Sequence, residues 1–135
     1  MSSLIDVIMV GDENKMRLLL DAGADANKQD EHGATALMCV AQEASEYSAG
    51  MMRVLLENGA DANKQSKYGS TALMLAARWG EHGTRMMRLL VDAGADTNTQ
   101  DNAGWTALMK AAWHGGEHAA GMMRLLLDAG ADTNK

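Results

Sequence analysis

His114 and His118 stand four positions apart, the spacing at which two imidazoles on one helix face reach a single metal ion. Gly115 and Gly116 interrupt the stretch and no third ligand accompanies it, so the pair reads as solvated histidines of a loop. The strings Gly80-Glu81-His82 and Gly116-Glu117-His118 are copies of one another, which makes them parts of a repeated unit before they are a reactive site. Ser, His and Asp side chains are present, but neither a nucleophile elbow nor a phosphate-binding glycine loop surrounds them. Cys39 is the single cysteine, so an intramolecular disulfide and a cysteine-based zinc cluster are both impossible. It sits among apolar neighbours, where a thiol packs as a small hydrophobe. These residues offer no catalytic centre, no metal site and no cofactor site, and a non-enzymatic role is expected.

The elements that carry them recur along the chain, and internal repetition outranks any local motif. Gly-Ala-Asp begins at Gly23, Gly59, Gly94 and Gly130, and Thr-Ala-Leu-Met begins at Thr35, Thr71 and Thr106. Arg17, Arg53, Arg88 and Arg124 keep the same step. Within a unit, Thr35 precedes the apolar run Ala36 to Ala41 and its hydroxyl suits the N-terminus of a short helix. A variable polar segment follows, then a second helical run from Met51 to Asn58, ended by Gly59. A polar turn through Asp61 to Gly69 leads to the next Thr. Helices this short are marginal in water, so each pair must bury its apolar face on its neighbours.

Composition agrees with a helical stack. Hydrophobic residues make up 47% of 135 residues, with 12 Met, no Phe and no Pro. Leu, Ala, Val and adaptable Met must fill the core. The net charge of −6 argues against a nucleic-acid partner. No run approaches the roughly 18 apolar residues that span a bilayer, so no membrane role is expected. The start shows no basic and apolar secretory pattern. A cytoplasmic location is expected, with the nucleus equally allowed.

Thr71-Ala72-Leu73-Met74, Ala76-Ala77, the run Met87 to Asp96 and Asn98 together resemble the ankyrin-repeat family. That family has units of about 33 residues, with Thr-Pro-Leu-His and a Gly-Ala-Asp-x-Asn ending. The resemblance implies an all-α fold: a solenoid of stacked antiparallel helix pairs joined by β-turn or hairpin fingers. It also implies protein recognition. Ala36, Ala72 and Ala107 stand in place of the family's Pro. Met38, Met74 and Met109 replace its His, so Met packing must substitute for the lost hydrogen bonds. Two or three added residues between the helices are expected to lengthen the back loops.

One domain over 1–135 is expected. It comprises a cap hairpin over 1–24, full repeats over 25–60, 61–95 and 96–131, and the start of a further turn over 132–135. Asp6 and Lys15 occupy positions that are apolar in later units, which marks a solvent-facing cap. The last hairpin has no such polar change. Either further repeats or a partner should cover it, and self-association through that end is an expectation. Each second helix also places an Arg four residues before an acid: Arg17 and Asp21, Arg53 and Glu57, Arg88 and Asp92, Arg124 and Asp128. These read as weak pairs on a solvated face, in the less favourable cation-first order. Lys110 interrupts an otherwise apolar position.

In the family, partners contact the turn tips and the inner helices on the concave side. By alignment the tips are Glu31, His32 and Ala34, then Lys67, Tyr68 and Ser70, then Asn102, Ala103 and Trp105. The inner-helix positions are Gln42 and Glu43, Arg78 and Trp79, Trp113 and His114. Four of the five aromatic residues fall in this set. Tyr and Trp dominate binding hot spots, so Lys67, Tyr68, Arg78, Trp79, Asn102, Trp105, Trp113 and His114 are the candidate protein-binding residues. The surface should grade from acidic near Glu31 and Glu43 to basic-aromatic and then aromatic. Two other roles remain open on the sequence: a regulatory or targeting segment of a larger protein such as an enzyme, and aromatic rings that merely stiffen the turns.

Overall fold

The computed structural model describes residues 4–114 and 116–131. Gly115 and the segment 132–135, expected to open a further turn, lie outside the described residues. The chain forms four helix pairs: α1 (Leu4–Met9) with α2 (Glu13–Asp21), α3 (Ala36–Glu43) with α4 (Ser48–Glu57), α5 (Ala72–Ala76) with α6 (Gly80–Asp92), and α7 (Ala107–His114) with α8 (Ala119–Asp128). No strand occurs among the described residues. Each helix packs on its partner and on its counterpart in the next pair. The first helices α1, α3, α5 and α7 thus make one layer and the second helices α2, α4, α6 and α8 the other.

The second, third and fourth pairs begin as the Thr position requires. Thr35, Thr71 and Thr106 accept, through Oγ1, the backbone N–H groups of Met38, Met74 and Met109, each at 3.3 Å. One otherwise unpaired amide of the first turn is satisfied in every repeat. Asp12 does the same for α2, accepting from Lys15 N. The core is aliphatic and Met-rich: Met16, Met52, Met86, Met87 and Met122 are fully buried, and Met38 and Met74 nearly so. Met fills the place of the family's His at these positions by packing alone.

The polar turns join the pairs. Asn27 donates from Nδ2 to Gly59 O and accepts from Asp61 N through Oδ1. Asn63 repeats this toward Gly94 O and Asp96 N, and Asn98 donates to Gly130 O. The Asn of Gly-Ala-Asp-x-Asn is therefore a rivet to the next repeat. At the turn tips, Lys67 N donates to His32 O and Asn102 N to Tyr68 O. Gly69 (φ 78°) sits where a side chain would meet the backbone N of Asn102, so both conformation and space exclude Cβ there.

Three expectations change. The inserted residues do not lengthen every back loop: in the third pair they extend α6, which starts at Gly80 and takes in His82. Glu81 in the first turn favours this start, and buried Gly83 lets α6 close on the Ala76 carbonyl. In the fourth pair the insertion forms a 3-10 turn, Gly116–His118, rather than an open loop. Second, among the described residues no ion pair within 4 Å joins any of the four Arg-acid pairs. The helical pair that forms is Glu81 with Arg85, at 3.1 Å, with the acid first as the helix dipole prefers. Third, α5 is short. It ends at Ala76, so Arg78 and Trp79 lie in the linker to α6 rather than on an inner helix.

Candidate protein-binding face

The turn tips share one local construction. Asp30 Oδ1 accepts from His32 N and Ala34 N, Ser66 Oγ from Tyr68 N and Ser70 N, and Asp101 Oδ1 from Ala103 N and Trp105 N. A short acceptor at this position in each repeat holds the tip open and presents the residues after it. Their identities change from His32 and Ala34 to Tyr68 and Ser70, then to Ala103 and Trp105.

The third and fourth repeats gather most of the candidate residues. Trp105 and Trp113 meet edge to face, with ring centroids 6.0 Å apart and planes at 81°. Lys110 places its ammonium 5.0 Å from the Trp105 centroid and 3.3 Å from Asp101 Oδ2. Cation, ring and carboxylate thus brace one another. Arg78 lies 5.8 Å over the Trp79 ring. Tyr68, Trp79 and Trp113 are exposed, at 64%, 39% and 74%, whereas Trp105 is half-buried. Two sequence-based roles therefore divide: Trp105 is tied into the structure, while Tyr68, Trp79 and Trp113 present free ring surface. Asn102 is exposed, but its side-chain amide donates to Lys67 O at 2.8 Å and so links two tips. Lys67 is exposed on its tip.

Two grooves run along this face. The first, about 470 Å³, lies between α1, α3 and the tips and is walled by Ile5, Met9, Cys39, Gln42 and Tyr68, among others. The second, about 330 Å³, is lined by Ser70, Met74, Leu75, Arg78, Lys110 and His114. Ser70 and Leu75 belong to both. Cys39 is buried, and desolvation, with the Asp30 and Glu43 charges, pushes its thiol up to about 11. It is inert at neutral pH. His114 is held below the ordinary imidazole range by partial desolvation and by the Arg78 and Lys110 charges. Burial alone would raise the Asp101 carboxyl, but the Trp105 and Ala103 amides and the Lys110 ammonium outweigh it and leave it below the usual value.

His114 and His118 do not form a pair on one helix: His114 closes α7, and His118 ends the 3-10 turn beside Gly80. Among the described residues no group of three His, Cys, Asp or Glu is placed to hold a metal ion. None of the described helices is long and apolar enough to cross a membrane.

Residues 4–101 and 44–135 match the family described as ankyrin repeats, in three copies. The chain belongs to the ankyrin-repeat family. A search of curated proteins finds no match. Ankyrin repeats are generally protein–protein interaction modules, and in this ankyrin stack the exposed Tyr68 lies on a turn tip and the exposed Trp113 on the first helix α7.

Sequence reasoning missed Asp101 and the part played by Lys110. The signal was present: Lys110 breaks an apolar column, and Asp101 repeats the position of Asp30. It also missed the groove wall of Ile5 and Met9, which come from α1.

Proposed function

We propose that this ankyrin stack binds a partner protein through the concave face formed by its turn tips and first helices. Lys67, Tyr68, Arg78, Trp79, Asn102, Trp105, Trp113 and His114 make up the contact set. The observation that supports this reading is the exposure of Tyr68, Trp79 and Trp113, three of only five aromatic residues in the protein. Exposed rings of this kind supply large contact area at small entropic cost. Trp79→Ala and Trp113→Ala should each weaken a partner by roughly thirtyfold, about 2 kcal/mol, while the stack stays folded with only a small loss of stability. Arg53→Ala, on the exposed outer side of α4, should leave binding alone. Trp variants that fold and bind normally would overturn the reading.

A specific observation also favours self-association through the last pair. Met123 is half-buried and Leu127 is 44% exposed, whereas Met52 and Met87, the counterparts of Met123, are fully buried. Leu127→Glu should abolish any dimer seen by light scattering. A dimer that persists in that variant uses another surface.

A further inference from the structure

The two grooves described above are neighbours that share Ser70 and Leu75 in their linings, and together they form a candidate channel. Their floors share a repeat position: Cys39, then Leu75, then Lys110. The channel therefore changes character along its length, from thiol and aliphatic to cationic. At the apolar end stand Ile5, Met9, Met38 and the Tyr68 ring. The one acid there, Asp30, already accepts two backbone amides through Oδ1. At the other end Arg78, Lys110 and His114 converge. Among the described residues, Arg78 and His114 have no carboxylate within 4 Å, and only Lys110 is paired, with Asp101. The Arg78 and Lys110 charges both bear on the His114 ring. Arg78 and Lys110 thus set positive charge at this end of a chain whose net charge is −6.

We propose that the channel takes an extended acidic segment of a partner protein, with an apolar side chain between Met9, Cys39 and Tyr68 and a carboxylate among Arg78, Lys110 and His114. The proposal rests on the protein-binding reading above and gives it a chemistry. Packed helices repeat at roughly 10 Å, and an extended chain advances about 3.3 Å per residue. The Cys39 and Lys110 ends lie roughly one and a half to two such steps apart, so the apolar and acidic side chains are about four to six positions apart. Charge complementarity selects the occupant, because an uncharged or basic segment would leave the cations desolvated and unpaired.

The test uses short fluorescent peptides in an Ala/Ser/Gly background. Each carries one Leu, with Asp, Asn or Lys about four to six positions away. Anisotropy with the full chain reads binding. The Asp series should bind roughly tenfold more tightly than the Asn series, and the Lys series weakest. Arg78→Glu and His114→Glu should each reverse the order. Both residues are exposed, so neither change disturbs the core, whereas Lys110 is tied to Asp101 and is left intact. Equal binding of the Asp and Asn series, no binding at all, or an Asp preference that survives Arg78→Glu would overturn the proposal. Trp79→Ala and Trp113→Ala, at rings that line neither groove, separate the two readings. If they abolish a binding that shows no charge preference, the face stands and the channel chemistry falls. If an Asp preference persists in both yet vanishes in Arg78→Glu, the channel stands and the aromatic contact set falls.

Discussion

The Lys110 ammonium lies 3.3 Å from the Asp101 carboxylate and ties α7 to the turn that precedes it. Both side chains are largely shielded from water, and Asp101 also accepts two tip amides. Removing Asp101 should cost more than removing Lys110, because it strands three donors rather than one acceptor. Lys110→Met should lower stability by about 1 kcal/mol and Asp101→Ala by about 2 kcal/mol in urea unfolding at neutral pH. The folded Asp101 carboxyl lies below its ordinary value of 3.8. Its contribution is therefore complete above that pH and disappears as pH falls through the lower folded value. Asp101→Asn should lose this part of the acid sensitivity. An unchanged acid limb in that variant would refute the assignment.

Thr71 caps α5 through Met74 N. Thr71→Ala should cost about 1 kcal/mol. Repeat stacks couple neighbour to neighbour, so the loss should appear in amide exchange of the flanking pairs as well. A denaturation midpoint within error of wild type would remove the cap from the account.

Gly83 is buried where α6 meets the Ala76 carbonyl. Backbone cannot yield as a side chain can, so Gly83→Ala should destabilise by about 1–3 kcal/mol despite the better helix propensity of Ala. Gly121, with open space around the position of a Cβ, is the control. Gly121→Ala should be neutral or stabilising, and equal effects at the two sites would contradict the packing described.

Cys39 is buried, with its thiol pushed up to about 11. Ellman's reagent at pH 8 should label the native chain orders of magnitude more slowly than the urea-unfolded chain. Prompt labelling of the folded protein would mean that the channel floor opens.

The outer face of α8 exposes apolar surface that the preceding pairs bury. In a monomer, amides from Arg124 to Asp128 should exchange faster than those from Arg53 to Glu57. Equal protection in a strictly monomeric sample would contradict this, while protection that grows with concentration would support self-association.

The repeat architecture is legible in the sequence because its determinants are local and recur. Thr35 and Thr71 announce helix starts, and Gly59 and Gly94 announce helix ends. The Gly-Ala-Asp-x-Asn strings mark the junctions. What escapes is set by tertiary approach. The helix start at Gly80 depends on how closely Gly83 can come to the Ala76 carbonyl, a matter of packing that apolar periodicity does not encode. The Arg-acid spacing of α2, α4, α6 and α8 suggested ion pairs, yet exposed partners in the unfavourable order gain too little to hold one geometry. The candidate residues themselves are legible by repeat position. Their neighbours are not: Lys110 looks like a flaw in an apolar column until Asp101 and Trp105 are seen around it.

Asn27 and Asn63 make the same joint to the backbone of the next Gly-Ala-Asp string, at its Gly carbonyl and its Asp amide, and Asn98 makes the carbonyl bond to Gly130. A coupling that engages backbone does not depend on which side chains the next unit displays. Units of this protein are in that sense interchangeable parts. The second full repeat could be duplicated, or exchanged with the third, without remaking the seam. The residues at the tips would travel with their unit, so a new order of units would spell a new surface on an unchanged frame. Variation in what such a protein recognises can then arise by shuffling whole units, with the fold as the conserved grammar and the tips as its vocabulary.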